Sequence, residues 1–301
     1  MAMAGTFHDS WVLTKTAFRV IWEDKALLAF PAIAAAAYIG ILIVFGAGLF
    51  TLFVFQPLSG GPFVLAVAVL VITMYILLWV NGVYFTAALV GAATLKLNGH
   101  QATVMDGLRI ASTHWKKILL WAIISGIVGL AIQAISSRVR GIGGLIIQVA
   151  AEATWGLMTY FIMPVLLYEN LGAWGSLKRS ASLYIHNFGR TFVSNLALGL
   201  VLALPMVGAF FLGIYGLYLM SSVSVILGFL VLGTAVAVFL FVALMGAAAE
   251  GVLTAALYRF ATTGKMMEDL VSPQHVQMFQ GNVVSQQRYV AAPLPSSQPL
   301  P

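Results

Sequence analysis

Glu152 and Glu250 are the two carboxylates that fall inside long apolar runs, where an ionisable group could carry a proton or hold an ion. Counting roughly 20 residues inward from Val223 puts the membrane edge near residue 243, so Glu250 reads as a solvated residue or a partner of Arg259. Glu152 is harder to dismiss. Gln148 precedes it by four residues and shares its helical face. Gln133 approaches from the preceding apolar run, and Arg138 and Arg140 fill the intervening turn. The favoured reading of this polar intramembrane cluster is a salt bridge that neutralises the arginines. The alternative is a substrate site in a transporter or channel.

Other chemistry finds no support. There is no HExxH, Walker loop or GxSxG elbow, and the five histidines are scattered. His114 and His186 lie in basic segments where solvated polar residues belong, without a partner at catalytic spacing. Cysteine is absent, which removes disulfides, thiolate metal sites and cysteine nucleophiles. The expectation is a protein with no enzymatic activity, no cofactor and no metal.

The elements that must position these residues are membrane helices. Hydrophobic residues make up 61% of the 301 positions and charged residues only 8%, against roughly a quarter charged in a soluble domain. So few charges cannot cover a water-facing surface, and the solvent must be largely lipid. The apolar runs predict six spans at about 26–55, 63–95, 118–135, 145–168, 191–219 and 223–258. The second run is longer than a bilayer requires; it is tilted, broken near Asn81-Gly82, or extended beyond the membrane. Pro205 predicts a kink in the fifth. Residues 1–264 form one membrane domain, and 265–301 read as a disordered cytoplasmic tail ending in VAAPLPSSQPLP.

Three basic segments precede the three hairpins of spans, at 7–24, 96–117 and 169–190. In the third, Trp174, Leu177, Ala181, Tyr184 and Phe188 share one helical face, opposite Arg179, Ser182 and His186. In the second, Val104, Leu108, Ala111, Trp115 and Ile118 oppose Asp106, Arg109, Thr113 and Lys116. Such segments are expected to lie along the membrane as amphipathic helices, with Lys15, Arg19, Arg109, Lys116, Lys117, Lys178, Arg179 and Arg190 facing anionic lipid or a membrane partner. Short echoes, KTA (15–17), RIAS (109–112) and RSAS (179–182), suggest a threefold repeat of amphipathic helix plus hairpin.

Thirteen of the 15 Lys and Arg lie on one side of these spans, with only Arg138 and Arg140 on the other. The positive-inside rule then puts both termini in the cytoplasm of a plasma-membrane protein. The formal charge of +6 could suggest nucleic acid, but cations clustered between apolar runs set orientation instead. Partners are expected to be anionic lipids, another membrane protein or a second copy of the chain.

At MPVLLYENLGAWGSLKRSAS (163–182) and AALYRFATTG (255–264) the chain resembles a group of uncharacterised bacterial and archaeal six-helix membrane proteins. It is similar too to the membrane domain attached to some glycerophosphodiester phosphodiesterases. Pro164, Glu169, Leu177, Ser180, Tyr258 and Gly264 carry the resemblance, which covers roughly residues 10–265. It implies a six-span membrane module of unassigned activity, since no phosphodiesterase domain is present. The function expected is a non-enzymatic module engaging lipid or a partner through its basic belt.

Overall fold

A computed structural model describes residues 15, 17–22, 24–55, 60–139 and 141–264, with Arg190 described by its backbone alone. All described elements are helices: α1 (Ala26–Phe55), α2 (Gly61–Leu97), α3 (Val104–Thr113), α4 (Trp115–Ser136), α5 (Ile142–Thr159), α6 (Ile162–Tyr168), α7 (Ala173–His186), α8 (Phe188–Ser222) and α9 (Val225–Thr263). Residues 17–22 are also helical. Six stretches are long and apolar enough to cross a membrane: α1, α2, α4, α5 with α6, most of α8, and α9. The chain is a multi-pass membrane protein.

Local chemistry sets the helix boundaries. Asp24 Oδ1 accepts the Ala26 N–H at 2.9 Å and opens α1. Thr103 and Asp106 form a reciprocal capping box at the start of α3. That hydrogen bonding to the Thr103 hydroxyl and N–H holds the Asp106 carboxyl below the usual carboxylate range. His114 closes α3 and opens α4, and Asn187 does the same between α7 and α8, so each short helix enters its span through one residue. Gly264, at φ 66°, closes α9 in the left-handed conformation that favours glycine.

At 1.5 Å per residue, the 37 residues of α2 and the 39 of α9 run about 56 and 58 Å. A bilayer's hydrocarbon is roughly 30 Å thick, so both helices project well beyond it. The projecting ends carry the protein core. Ala87–Leu97 of α2, Met245–Tyr258 of α9, Ile162–Leu167 of α6 and the 17–30 segment supply most of the buried apolar side chains. The opposite halves of α1, α2, α8 and α9 expose Phe50, Val64, Phe210 and Phe229. The division follows from solvent: lipid tails solvate an apolar helix as well as a neighbour does, whereas water drives burial.

The second span passes unbroken through Asn81-Gly82. Those residues bring α1 close instead. The Asn81 amide donates to the Ala34 carbonyl at 3.2 Å, and Gly82 leaves room for the Tyr38 hydroxyl. The fourth span, expected as one helix over 145–168, is interrupted at Tyr160-Phe161. Pro205 lies inside α8.

The short helices bury only part of the apolar faces expected of them. In α7 the buried residues are Ser176, Leu177, Ser180, Leu183 and Tyr184, while Trp174 and Phe188 are exposed. In α3 the buried residues are Gly107 and Ala111, and Trp115 is exposed. These faces pack on protein, α3 against α2 and α7 against α5 and α6, rather than lying open to a headgroup layer. Small residues explain the rotation, since Ser176, Ser180, Gly107 and Ala111 let two backbones approach where a bulky face could not. In the 17–22 stretch, Ala17, Val20 and Ile21 are buried and Arg19 and Trp22 are exposed. The rest of the 7–24 segment, apart from Lys15 and Asp24, and the 265–301 tail lie outside the described residues.

Candidate functional site

The ends of the spans where the core lies also carry the cations, and they divide into two kinds. Some are committed to protein partners. Lys96 pairs with Asp24 at 2.5 Å. Partial burial raises the Asp24 carboxyl, but the Lys96 ammonium and the Ala26 amide outweigh it and hold the group below its ordinary range. Arg179 Nε donates to both oxygens of Glu169 at 3.1 Å, and the Tyr258 hydroxyl donates to Glu169 Oε1 at 3.1 Å. One carboxylate thus ties α7, α9 and the chain after α6 together. Lys117 Nζ donates to Asn170 Oδ1 at 3.4 Å.

Others face outward: Arg19, Arg109, Lys116 and Lys178 are exposed. Lys15 is exposed as well, but it too interacts with a neighbour. Lys116 Nζ sits 5.8 Å from the Trp115 ring centroid, and Lys178 Nζ 5.7 Å from that of Trp174. Both tryptophans are exposed, at 52% and 69%. The Arg190 side chain lies outside the described residues.

The cluster expected around Glu152 is only partly assembled. Gln148 Nε2 donates to Glu152 Oε1 at 2.9 Å, as the four-residue spacing requires. Gln133 and Arg138 are exposed, and neither bonds to Glu152. The expected salt bridge to Arg138 is therefore not formed: Glu152 is exposed on α5 and takes its hydrogen bond within its own helix. Arg140 lies outside the described residues. His114 and His186 each donate from Nδ1 to a carbonyl four residues earlier, at 3.0 and 2.8 Å, and serve their own helix ends.

Sequence reasoning passed over one feature altogether. A partly open cavity of about 760 Å³ lies among α1, α2, α4, the α5–α6 break and α9. Tyr38, Trp79, Phe85, Trp121 and Trp155 give it an aromatic wall, and Glu250, Thr254 and Tyr160 a polar corner. Glu250 is exposed on this wall rather than paired with Arg259, and neither ion pair found among the described residues includes it. The four-residue spacing of Glu250 and Thr254 was the available signal, since it puts both on one face of α9. No group of three or more His, Asp or Glu side chains gathers as a metal site among the described residues.

A family model matches residues 64–268, more than half of the chain. The protein belongs to the DUF6159 family, a family of unknown function. Comparison with curated proteins and with solved structures returns no match. The DUF6159 region begins inside α2 and takes in every later helix; α1 precedes it. It includes the Glu169–Arg179–Tyr258 node and most of the cavity wall. The DUF6159 match carries no link to the membrane domain of the glycerophosphodiester phosphodiesterases.

Proposed function

We propose that the protein is a non-enzymatic module of the plasma membrane, with both termini in the cytoplasm, that engages anionic lipid through a belt of exposed cations. The observation carrying this reading is the pair of exposed Trp–Lys couples, Trp115 with Lys116 and Trp174 with Lys178, at the cation-rich end of the bundle. Tryptophan settles at the headgroup level, and a lysine beside it reaches phosphate. Arg109 joins them on the exposed side of α3. Arg179 drops out of the belt, because the Glu169 carboxylate already meets its charge, and Lys117 is half-buried with its ammonium on Asn170. Three short helices, each leading into a hairpin of spans through a joint of one to a few residues, support a threefold internal arrangement.

Each belt cation is expected to contribute about 1 kcal/mol of attraction to an anionic surface. Replacing Arg109, Lys116 and Lys178 together by Gln should therefore reduce anionic lipid retained through mild-detergent purification, as read by mass spectrometry, with an unchanged melting temperature. Undiminished retention would sink the belt reading.

Orientation has its own test. The chain has no cysteine, so single cysteines report cleanly. A cysteine at Ser222, at the exposed end of α8, should react with an impermeant maleimide in intact cells. One at Ser112, exposed on α3, should react only after lysis. The reverse pattern would invert the proposed topology.

A further inference from the structure

The belt leaves the cavity unused, and the cavity wall has a chemistry of its own. Trp121 and Trp155 stack with centroids 5.8 Å apart and planes 11° from parallel. The Trp79 indole N–H donates to Ser125 Oγ at 3.1 Å, which fixes that ring beside α4. The aromatic wall is thus held in place by protein contacts before any ligand arrives. The same lining holds a single carboxylate, Glu250, exposed and without a cation partner among the described residues. On the same lining, the Tyr160 hydroxyl is buried and makes no hydrogen bond among the described residues, although Thr254 and Asn195 are near. A buried hydroxyl left without a full partner is uncommon, and one on a residue that lines a cavity has capacity left for water or a ligand.

These features select among ligands. A neutral acyl chain would fill the apolar volume but leave Glu250 uncompensated beside it. An anionic lipid, the belt's proposed partner, would meet like charge there. A cation with an apolar body suits this lining: the carboxylate neutralises the charge, and the aromatic and apolar side chains bury the remainder. The geometry points to a binding site for a lipophilic monovalent organic cation, with Glu250 as its counter-ion and the Tyr160 oxygen turned toward its charge. A volume of about 760 Å³ suits a drug-sized molecule of that class.

Tetraphenylphosphonium and tetraphenylborate, closely matched in shape and opposite in charge, are the probes. Each is titrated calorimetrically into the full chain in an uncharged detergent. The phosphonium should bind and the borate should not. Glu250→Gln should weaken phosphonium binding about tenfold or more, since it removes a charged contact. Its melting temperature should hold, because Glu250 has no ion-pair partner to lose among the described residues. Tyr160→Phe should weaken binding about threefold while keeping the ring, and it decides the matter alone if Glu250→Gln does not fold. The Arg109, Lys116 and Lys178 triple variant should bind the phosphonium unchanged, which separates this site from the belt. Failure of the phosphonium to bind, equal binding of the borate, or undiminished binding by the folded Glu250→Gln variant overturns the proposal. So does undiminished binding by Tyr160→Phe where Glu250→Gln does not fold.

Discussion

Gly107→Ala is expected to destabilise the protein by about 2–3 kcal/mol, a large loss for one added methyl group. A Cβ at Gly107 would lie 2.6 Å from the Ala88 carbonyl oxygen and 2.5 Å from the Phe30 ring. Neither neighbour can give way. Ala88 is backbone in the middle of α2, and Phe30 is 1% exposed within the core that joins α1, α2 and α9. Relief requires α3 to lift off α2, which opens the contact that buries Ala111 and Ile110's side of the helix. Gly129→Ala supplies the contrast. That glycine lies inside α4, and a methyl group added there would meet nothing within 4 Å. Alanine is also the better helix former, so stability should rise by about 0.5–1 kcal/mol. Melting temperatures in detergent read both changes. Equal shifts of the two variants would mean that α3 does not pack on α2 as described.

The same contact shows why the spans were legible and the short helices were not. A run such as Ala26–Phe55 is apolar on every side, so composition alone identifies it as membrane-crossing. Its rotation does not matter to that inference. The rotation of α3 and α7 does matter, and hydrophobic periodicity grouped Trp115 and Trp174, both exposed, on one apolar face with Ala111, Leu177 and Tyr184, which are buried on protein. The inward faces are instead chosen by small residues that permit close approach. Ser176 and Ser180 are completely buried because their size fits, not because they are apolar. Periodicity cannot report a face selected by volume.

The candidate site divides along similar lines. Gln148 and Glu152 are joined within a single helix, so their spacing announced them. Glu250 and Tyr160 come from distant parts of the chain, and no local pattern could bring them to one cavity. Counting residues from Val223 led away from Glu250, because the count treats a span as ending where hydrocarbon ends. In α9 the helix continues as core, and the cavity lies where it does so. Glu169, Ser180 and Tyr258 were singled out by resemblance alone. They turn out to bind helix ends to one another, a role set by contacts across 89 residues of chain for Tyr258 and Glu169.

Ser180→Ala is the second substitution with a large expected effect, a loss of about 1–3 kcal/mol. The fourth span breaks at Tyr160-Phe161, and a break releases backbone groups that an unbroken helix would satisfy. The Phe161 N–H is one of them, and it donates to Ser180 Oγ at 3.0 Å. Both residues are fully buried, so no water can replace the lost acceptor. Alanine removes the oxygen without altering the helix propensity of α7 unfavourably, so any loss reports the orphaned N–H rather than a weakened helix. Ser182→Ala, two residues on and exposed, should stay within about 0.5 kcal/mol of the parent. The effect should reach the cavity as well. Tyr160 stands at the break, and its place on the cavity wall depends on how Phe161 is held. Ser180→Ala should therefore weaken tetraphenylphosphonium binding while Ser182→Ala leaves it alone. If the two alanine variants melt together, the hydrogen bond does not hold the break, and the link from α7 to the cavity fails with it.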